Sequence, residues 1–263
     1  MQKILVVFSF ALLTTQLTLA APNEQSLTVG YEHRNYSKDR GERNVEFLQY
    51  SNKFNNGGFV AKLSSADRDF GSGVSDRGTE GKLDIYYDWN NYLSTKSGIT
   101  LSDNTFAFSH REYRQDFNIK PRKNLVLNLG VKRTEYANDI DVDAWSSGLS
   151  WYSKRMILSY KYTNYSSDEK GNSYGNTLSG KLKDIEGKGN TQLWVGFGTG
   201  AYSYEWDPTN SKLNGDFKSI TLRREQPFLN NWLLGISVGK NWYETPLDNY
   251  YSTNGQIDVS YKW

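Results

Sequence analysis

From about residue 25 onward, hydrophobic and polar positions alternate in short stretches, and no segment carries a sustained helical period. In "KLDIYYDW", Leu83, Ile85, Tyr87 and Trp89 share one face while Lys82, Asp84, Tyr86 and Asp88 share the other. "LVLNLGVK" sets Leu125, Leu127, Leu129 and Val131 against Val126, Asn128, Gly130 and Lys132. "LLGISVGKN" sets Leu234, Ile236 and Val238 against Gly235, Ser237, Gly239 and Asn241. A period of two over about ten residues predicts strands with one greasy and one wet face. About fourteen such stretches occur, near 25–36, 44–54, 58–69, 79–90, 92–102, 106–118, 124–137, 140–152, 155–166, 175–184, 190–205, 215–226, 231–243 and 254–263. Within the second, "NVEFLQYSNKF" has no clean preference, and the pattern does not assign its faces.

The connections alternate in length. Tight ones read "NNGG" (55–58), "NN" (90–91), "KPRKN" (120–124), "SKR" (153–155), "EGKGN" (186–190) and "LNN" (229–231). Between them lie longer ones: "FGSGVSDRG" (70–78), "SSDEKGNSYG" (166–175), "DPTNSKLNGD" (207–216) and "TPLDNYYSTN" (245–254). The fifth, "SDNT", is short for its place in the series. Short inner turns, longer outer loops and an even strand number describe an up-and-down barrel in an outer membrane. Closure follows because hydrocarbon leaves unpaired backbone groups without water. The expected fold is therefore all-β: a closed, antiparallel transmembrane β-barrel of about fourteen strands, twelve being the count that keeps the same parity. Aromatic residues fit this picture, since Trp89 and Tyr92, Trp151 and Tyr152, and Phe228 and Trp232 flank tight turns, at the level of lipid headgroups.

The two ends of the chain add to it. "MQKILVVFSFALLTTQLTLA" has a basic start, an apolar run and a small-residue finish, the layout of a secretory signal peptide cleaved near Ala20. The expected domains are a signal peptide over 1–20 and a barrel over 21–263, exported through the periplasm. The last stretch, "GQIDVSYKW", alternates up to Trp263, and Tyr261 with Trp263 resembles the C-terminal signal recognised by barrel-assembly machinery. That strand must also pair with the first one to remove both edges.

Composition removes several kinds of chemistry. The chain has no cysteine, so neither disulfides nor thiolate metal sites arise. A formal charge of +2 supplies no field strong enough to recruit nucleic acid. No metal-ligand spacing or phosphate-cradling loop is present, and no cofactor is expected. Of the two histidines, His33 shares a face with Leu27, Val29 and Tyr31, an outer-surface position near the loop end. His110 falls on the polar face in "HREYRQD" with Glu112, Arg114 and Asp116, the pattern of a lumenal network more than of a general base. Neighbouring Ser109 points the other way, so no nucleophile pairs with His110, and no enzyme is expected.

The wet faces form the chemical surface. Alternation places Lys82, Asp84, Asp88, His110, Glu112, Arg114, Asp116, Lys132, Lys161 and Arg223 in the lumen, with Glu32, Arg34, Lys62, Arg68, Lys181, Asp258 and Lys262. Both signs interleave, basic residues being in the majority, which leans weakly towards anions. Tyr86 and Trp194 add rings that stack on sugar faces.

Long stretches resemble one family. "DVDAWSSGLSWY" (141–152), "SYKYTNYSSDEKGNSYGNTLSGKL" (159–182) and "TQLWVGFGTGAYSYEWDP" (191–208) are similar to the YaiO family of Gram-negative outer-membrane proteins. "EYRQDFNI" (112–119) and "GKNWYETP" (239–246) fit it too. The resemblance implies an outer-membrane barrel and a link to extracellular polysaccharide, and it carries over no catalytic set. The expected function is a small porin-like channel for a hydrophilic solute, with an oligo- or polysaccharide as the candidate class. The alternatives are a non-conducting barrel acting through its loops and, last, a barrel enzyme. Outer-membrane lipids and the assembly machinery are the expected partners, and nucleic acid is not.

Overall fold

The computed structural model describes residues 24–263 except 72, 104–105, 137–139, 169–170, 186–188, 200–214 and 245–247. The signal peptide, the far end of the 190–205 stretch and most of the 207–216 loop lie outside the described residues. Fourteen antiparallel strands follow one another and close: β1 (Glu24–Tyr36), β2 (Glu42–Phe54), β3 (Gly57–Asp69), β4 (Ser75–Asp88), β5 (Leu93–Ser102), β6 (Arg111–Arg122), β7 (Leu125–Glu135), β8 (Asp141–Tyr152), β9 (Met156–Ser167), β10 (Gly171–Lys183), β11 (Asn190–Thr199), β12 (Asp216–Leu229), β13 (Trp232–Glu244) and β14 (Asn249–Lys262). Each strand pairs with its sequence neighbours, and β1 pairs with β14 from Ser26↔Lys262 to Tyr36↔Ser252. Gln25 and Trp263 exchange both backbone hydrogen bonds, at 3.0 and 3.1 Å, so the terminal residue completes the seam.

Register sorts the faces. Val29, Leu48, Leu63, Leu129, Leu222 and Val238 are exposed and point outwards, to lipid. Two aromatic belts bound this surface. At the end carrying the termini, Tyr87 packs on Trp89 (ring centroids 4.8 Å apart), Trp232 on Tyr261 (4.9 Å) and Tyr261 on Trp263 (5.6 Å). At the other end Trp145 meets Tyr162 (5.6 Å), and Trp242 stands beside Tyr251 in register. An amphipathic ring is most stable where hydrocarbon meets headgroups, so the belts mark the two interfaces.

Strand ends shift from the sequence pattern in both directions, so some outer connections are shorter than expected and the fifth is longer. β14 begins at Asn249, not near 254, and β4 at Ser75, not 79. β6 begins at Arg111, not 106, so the fifth connection is 103–110 and not merely "SDNT". Phe106 and Phe108 mimic strand alternation, yet this segment folds into the mouth: Ala107 is buried against Val45 and Ala66, with Phe108 packed beside them.

That packing belongs to a larger feature. The buried apolar side chains do not fill the barrel; they gather at its outer mouth. Tyr36, Val45, Ala66, Val142, Ala144, Phe217, Tyr243 and Tyr250 are buried, inward-facing and near the outer ends of their strands, joined by Phe70, Ala107 and Ile140 from outer connections. Tyr243 and Tyr250 stack at 4.5 Å and Phe217 tilts onto Tyr243 at 5.3 Å. Arg68, only 8% exposed, donates through Nη1 to the Arg40 and Glu42 carbonyls at 3.1 and 3.2 Å. Its guanidinium also covers the rings of Tyr36 and Phe70 at 4.0 and 4.6 Å, which rivets two outer connections together.

Candidate functional site: the lumen

Below the apolar mouth the inward face turns polar. On one wall Asp84 of β4, 7% exposed, accepts a hydrogen bond from Arg114 Nη2 of β6 and faces Lys96 Nζ of β5 at 3.5 Å. Arg114 Nε also lies 3.6 Å from Asp116, and Lys132 Nζ donates to Glu112 Oε2 at 3.2 Å. On the opposite wall Arg223 of β12 holds Asp258 of β14 through two bonds, Nη1 to Oδ2 at 2.7 Å and Nη2 to Oδ1 at 2.8 Å. Gln256 adds a bond to Asp258 at 2.9 Å, and Arg223 Nε reaches Glu225 at 3.3 Å. Glu225 in turn accepts from Asn190 Nδ2 at 2.6 Å.

Both clusters skip a strand, and a glycine on the skipped strand makes that possible. Gly98 sits in register between Asp84 and Arg114, where a Cβ would stand 2.5 Å from Asp84 Oδ1. On β13, a Cβ at Gly235 would lie 2.4 Å from both Arg223 Nη2 and Asp258 Oδ1. Each glycine is thus a window through which charges two strands apart meet, a use of strand glycine for close approach.

Register places Lys82, Asp84, Asp88, Glu112, Arg114, Asp116, Lys132, Lys161 and Arg223 on the inward face. They do not converge on one point: the charges form two wall networks and a lower rim, where Lys120 Nζ donates to Asp88 at 2.6 Å. Lys82 and Lys161 form no ion pair among the described residues, and Lys62, in register with Lys82, lies over the Phe47 ring at 4.2 Å. His110 stands one residue before β6 at the outer end, half-buried, with Nδ1 buried and without a hydrogen-bond partner among the described residues. His33 is outward, Nδ1 2.8 Å from Asn44 Oδ1. Sequence pattern missed Lys96, Glu225 and Arg43, and it missed the inward Phe47, whose ring crosses Gly30 where a side chain would stand.

A vestibule of about 410 Å³ opens at the inner end, lined in part by Ser26, Ser51, Lys53, Tyr86, Asp88 and Lys262. Tyr86 presents its ring there, with Lys96 Nζ 4.9 Å from the centroid. A concavity of about 1080 Å³ lies instead on the inner rim, between Arg155, Asp184 and the turn from Pro227 to Trp232. Its acidic side chain is already held by Arg224, whose Nη1 and Nη2 donate to Asp184 at 2.7 and 2.6 Å. These two hydrogen bonds hold the Asp184 carboxyl below its ordinary range.

Fourteen closed strands, two aromatic belts, an apolar outer surface and a charged lumen define a transmembrane β-barrel. The model of the YaiO membrane beta barrel domain matches residues 24–205, and the chain belongs to that family of outer-membrane proteins. Among solved structures it is similar to the CymD monoaromatic hydrocarbon channel, with a TM-score of 0.57, 8% identity and coverage of 93% of this chain and 89% of that one. A bacterial polysaccharide outer membrane secretin gives a TM-score of 0.55 at 9% identity, covering 91% of this chain and 98% of the other. OccAB4 of Acinetobacter baumannii gives 0.51 at 8% identity, covering 92% and 97%. At such identities the likeness is one of fold.

Proposed function

We propose that the barrel is a channel for a hydrophilic solute whose outer mouth is closed at rest. The observation that carries this reading is the change of lumen chemistry with height. Inward charged and polar side chains line the wall above an inner vestibule, and buried aromatic and apolar side chains gather above them at the outer end. A barrel with no passage has little use for inward lysines such as Lys82 and Lys161, which form no ion pair among the described residues, whereas a route for anionic or sugar-like solutes gains from them and from the ring of Tyr86. The closure includes residues 106–108, tied down by Arg43 Nη2 to the Ala107 carbonyl at 3.2 Å and by the Phe106 amide to Asp76 at 2.6 Å. Displacement of this segment is the opening movement in this scheme. An oligo- or polysaccharide is the solute class that the vestibule and the family resemblance favour.

A second reading has its own support. Many charges on both walls are bonded to one another and buried rings crowd the outer mouth, which suits a non-conducting barrel working through its outer connections. Single-channel recording of the refolded barrel in a planar bilayer separates the two, with acidic and neutral oligosaccharides as blockers. Steady openings blocked by one sugar class support the channel. A folded barrel that stays closed even after Arg43→Ala favours the second reading.

A further inference from the structure

Charges on the outward face near the outer belt are mostly neutralised within the protein. Arg77 pairs with Asp67, Arg133 with Asp141 and Asp143, Arg111 with Glu135 at 3.8 Å and Lys218 with Glu244 at 3.6 Å. Lys240 is different. Register puts it on the lipid side of β13, above Ile236 and Val238 and level with Ile220 and Thr253, and it makes no ion pair among the described residues. Its ammonium instead sits between two rings, 4.3 Å from the Tyr251 centroid and 5.3 Å from that of Trp242. Both rings are exposed on the outer belt.

The height of this site follows from the strand. Trp232 stands in the inner belt and Trp242 ten residues along β13. At about 3.3 Å per residue and a tilt of about 40°, that spans roughly 25 Å, the apolar thickness of such a barrel. Lys240 then lies about 5 Å below the outer belt, at the boundary of acyl chains and headgroups. An ammonium there is costly unless it reaches water or an anion. A free lysine would swing up on its flexible stem, but here two rings hold the head in place, half-desolvated and facing the leaflet.

We propose that Lys240, with Trp242 and Tyr251, is a binding site for a phosphate group of the phosphorylated glycolipid in the outer leaflet. The charge is complementary, the position is at headgroup level, and the rings beside the ammonium suit the sugar that carries the phosphate. The site lies on the barrel exterior, so it stands whether or not the lumen conducts.

Native mass spectrometry of the full barrel released from micelles tests it, with three probes: bisphosphorylated lipid A, its dephosphorylated form and phosphatidylglycerol. The expected order is bisphosphorylated lipid A first, with Lys240→Gln lowering its bound fraction about fivefold, the worth of one lysine at a charged surface. Lys240→Arg keeps the charge and retains binding. Arg133→Gln, whose partners already neutralise it on another wall, leaves binding unchanged. Equal binding by Lys240→Gln and the unaltered chain overturns the proposal. So does equal binding of the dephosphorylated lipid or of phosphatidylglycerol by the unaltered chain, a comparison that needs no variant to fold.

Discussion

The glycine windows give the sharpest test of how the lumen is held together. In Gly235→Ala the new methyl would lie 2.4 Å from Arg223 Nη2 and from Asp258 Oδ1, about an ångström inside ordinary contact. The two bonds at 2.7 and 2.8 Å cannot both survive. Asp258 is 4% exposed, so separation leaves a buried carboxylate short of partners. Each charge-assisted bond contributes about 1.5–3 kcal/mol, but lumen water recovers part of what is lost. Alanine also regains about 0.5–1 kcal/mol of strand preference over glycine. The net expectation is a destabilisation of about 2 kcal/mol. Gly255→Ala is the matched control: its Cβ would meet nothing within 4 Å, so the change is neutral or slightly stabilising. Urea unfolding in lipid vesicles, followed by tryptophan fluorescence, measures both. In a background already carrying Asp258→Asn and Arg223→Gln, the Gly235→Ala cost falls to less than half, because the pair it disrupts is gone. A Gly235→Ala barrel within about 0.5 kcal/mol of the unaltered one refutes the window argument, as does an unchanged cost in the double background.

Three further outcomes follow from the same structure. Arg43→Ala releases the Ala107 carbonyl and uncovers the Phe108 ring, 5.2 Å from the guanidinium, so bilayer recordings show more frequent or longer openings with the fold intact. The Asp184 and Asp248 carboxyls are held low by hydrogen bonds from Arg224 and Lys38. Their contribution is therefore present above the unfolded carboxylate range, near 3.9, and is lost as pH falls through the lower folded values. The urea midpoint stays level from about pH 7 to 5 as far as these pairs decide it, then drops below about pH 4, and Asp184→Asn flattens that drop. We propose that Tyr261 and Trp263 also serve as an assembly signal, so Trp263→Ala slows insertion in cells more than it lowers the unfolding midpoint of the refolded barrel. Equal loss in both assays would assign the ring to stability alone.

Much of the architecture was legible because a lipid-facing strand must repeat every two residues and a closed sheet needs even parity. The faces of β4, β7 and β13 follow from that period alone. β2 resisted for a physical reason: its outward face carries Asn44 and Glu46 near the outer rim, while inward Val45 packs in the buried cluster at the mouth and inward Phe47 fills the Gly30 gap. Where apolar side chains are buried inside the barrel, the expected contrast between inside and outside reverses, and the same reversal disguised Phe106 and Phe108 as strand. Inward charges such as Asp84 and Arg223 were visible one by one. Their partners were not, because meeting through Gly98 or Gly235 depends on register across three strands, and a single-residue slip would turn every side chain to the other face.

The windows also bear on how such a barrel changes over evolutionary time. Asp84, Gly98 and Arg114 lie on three strands separated in sequence, yet each tolerates change only as the other two allow. Replacing Asp84 alone leaves the Arg114 guanidinium to the more distant Asp116, at 3.6 Å, and replacing Gly98 alone pushes two charges apart. Substitutions here are therefore expected to arrive as linked sets, leaving correlated triplets that span three strands in an alignment of descendants. Lumen lysines such as Lys82, with no ion pair among the described residues, carry no such constraint and are free to drift. The inherited unit of this wall is the triplet, and the wall between such triplets is where single substitutions are expected to accumulate first.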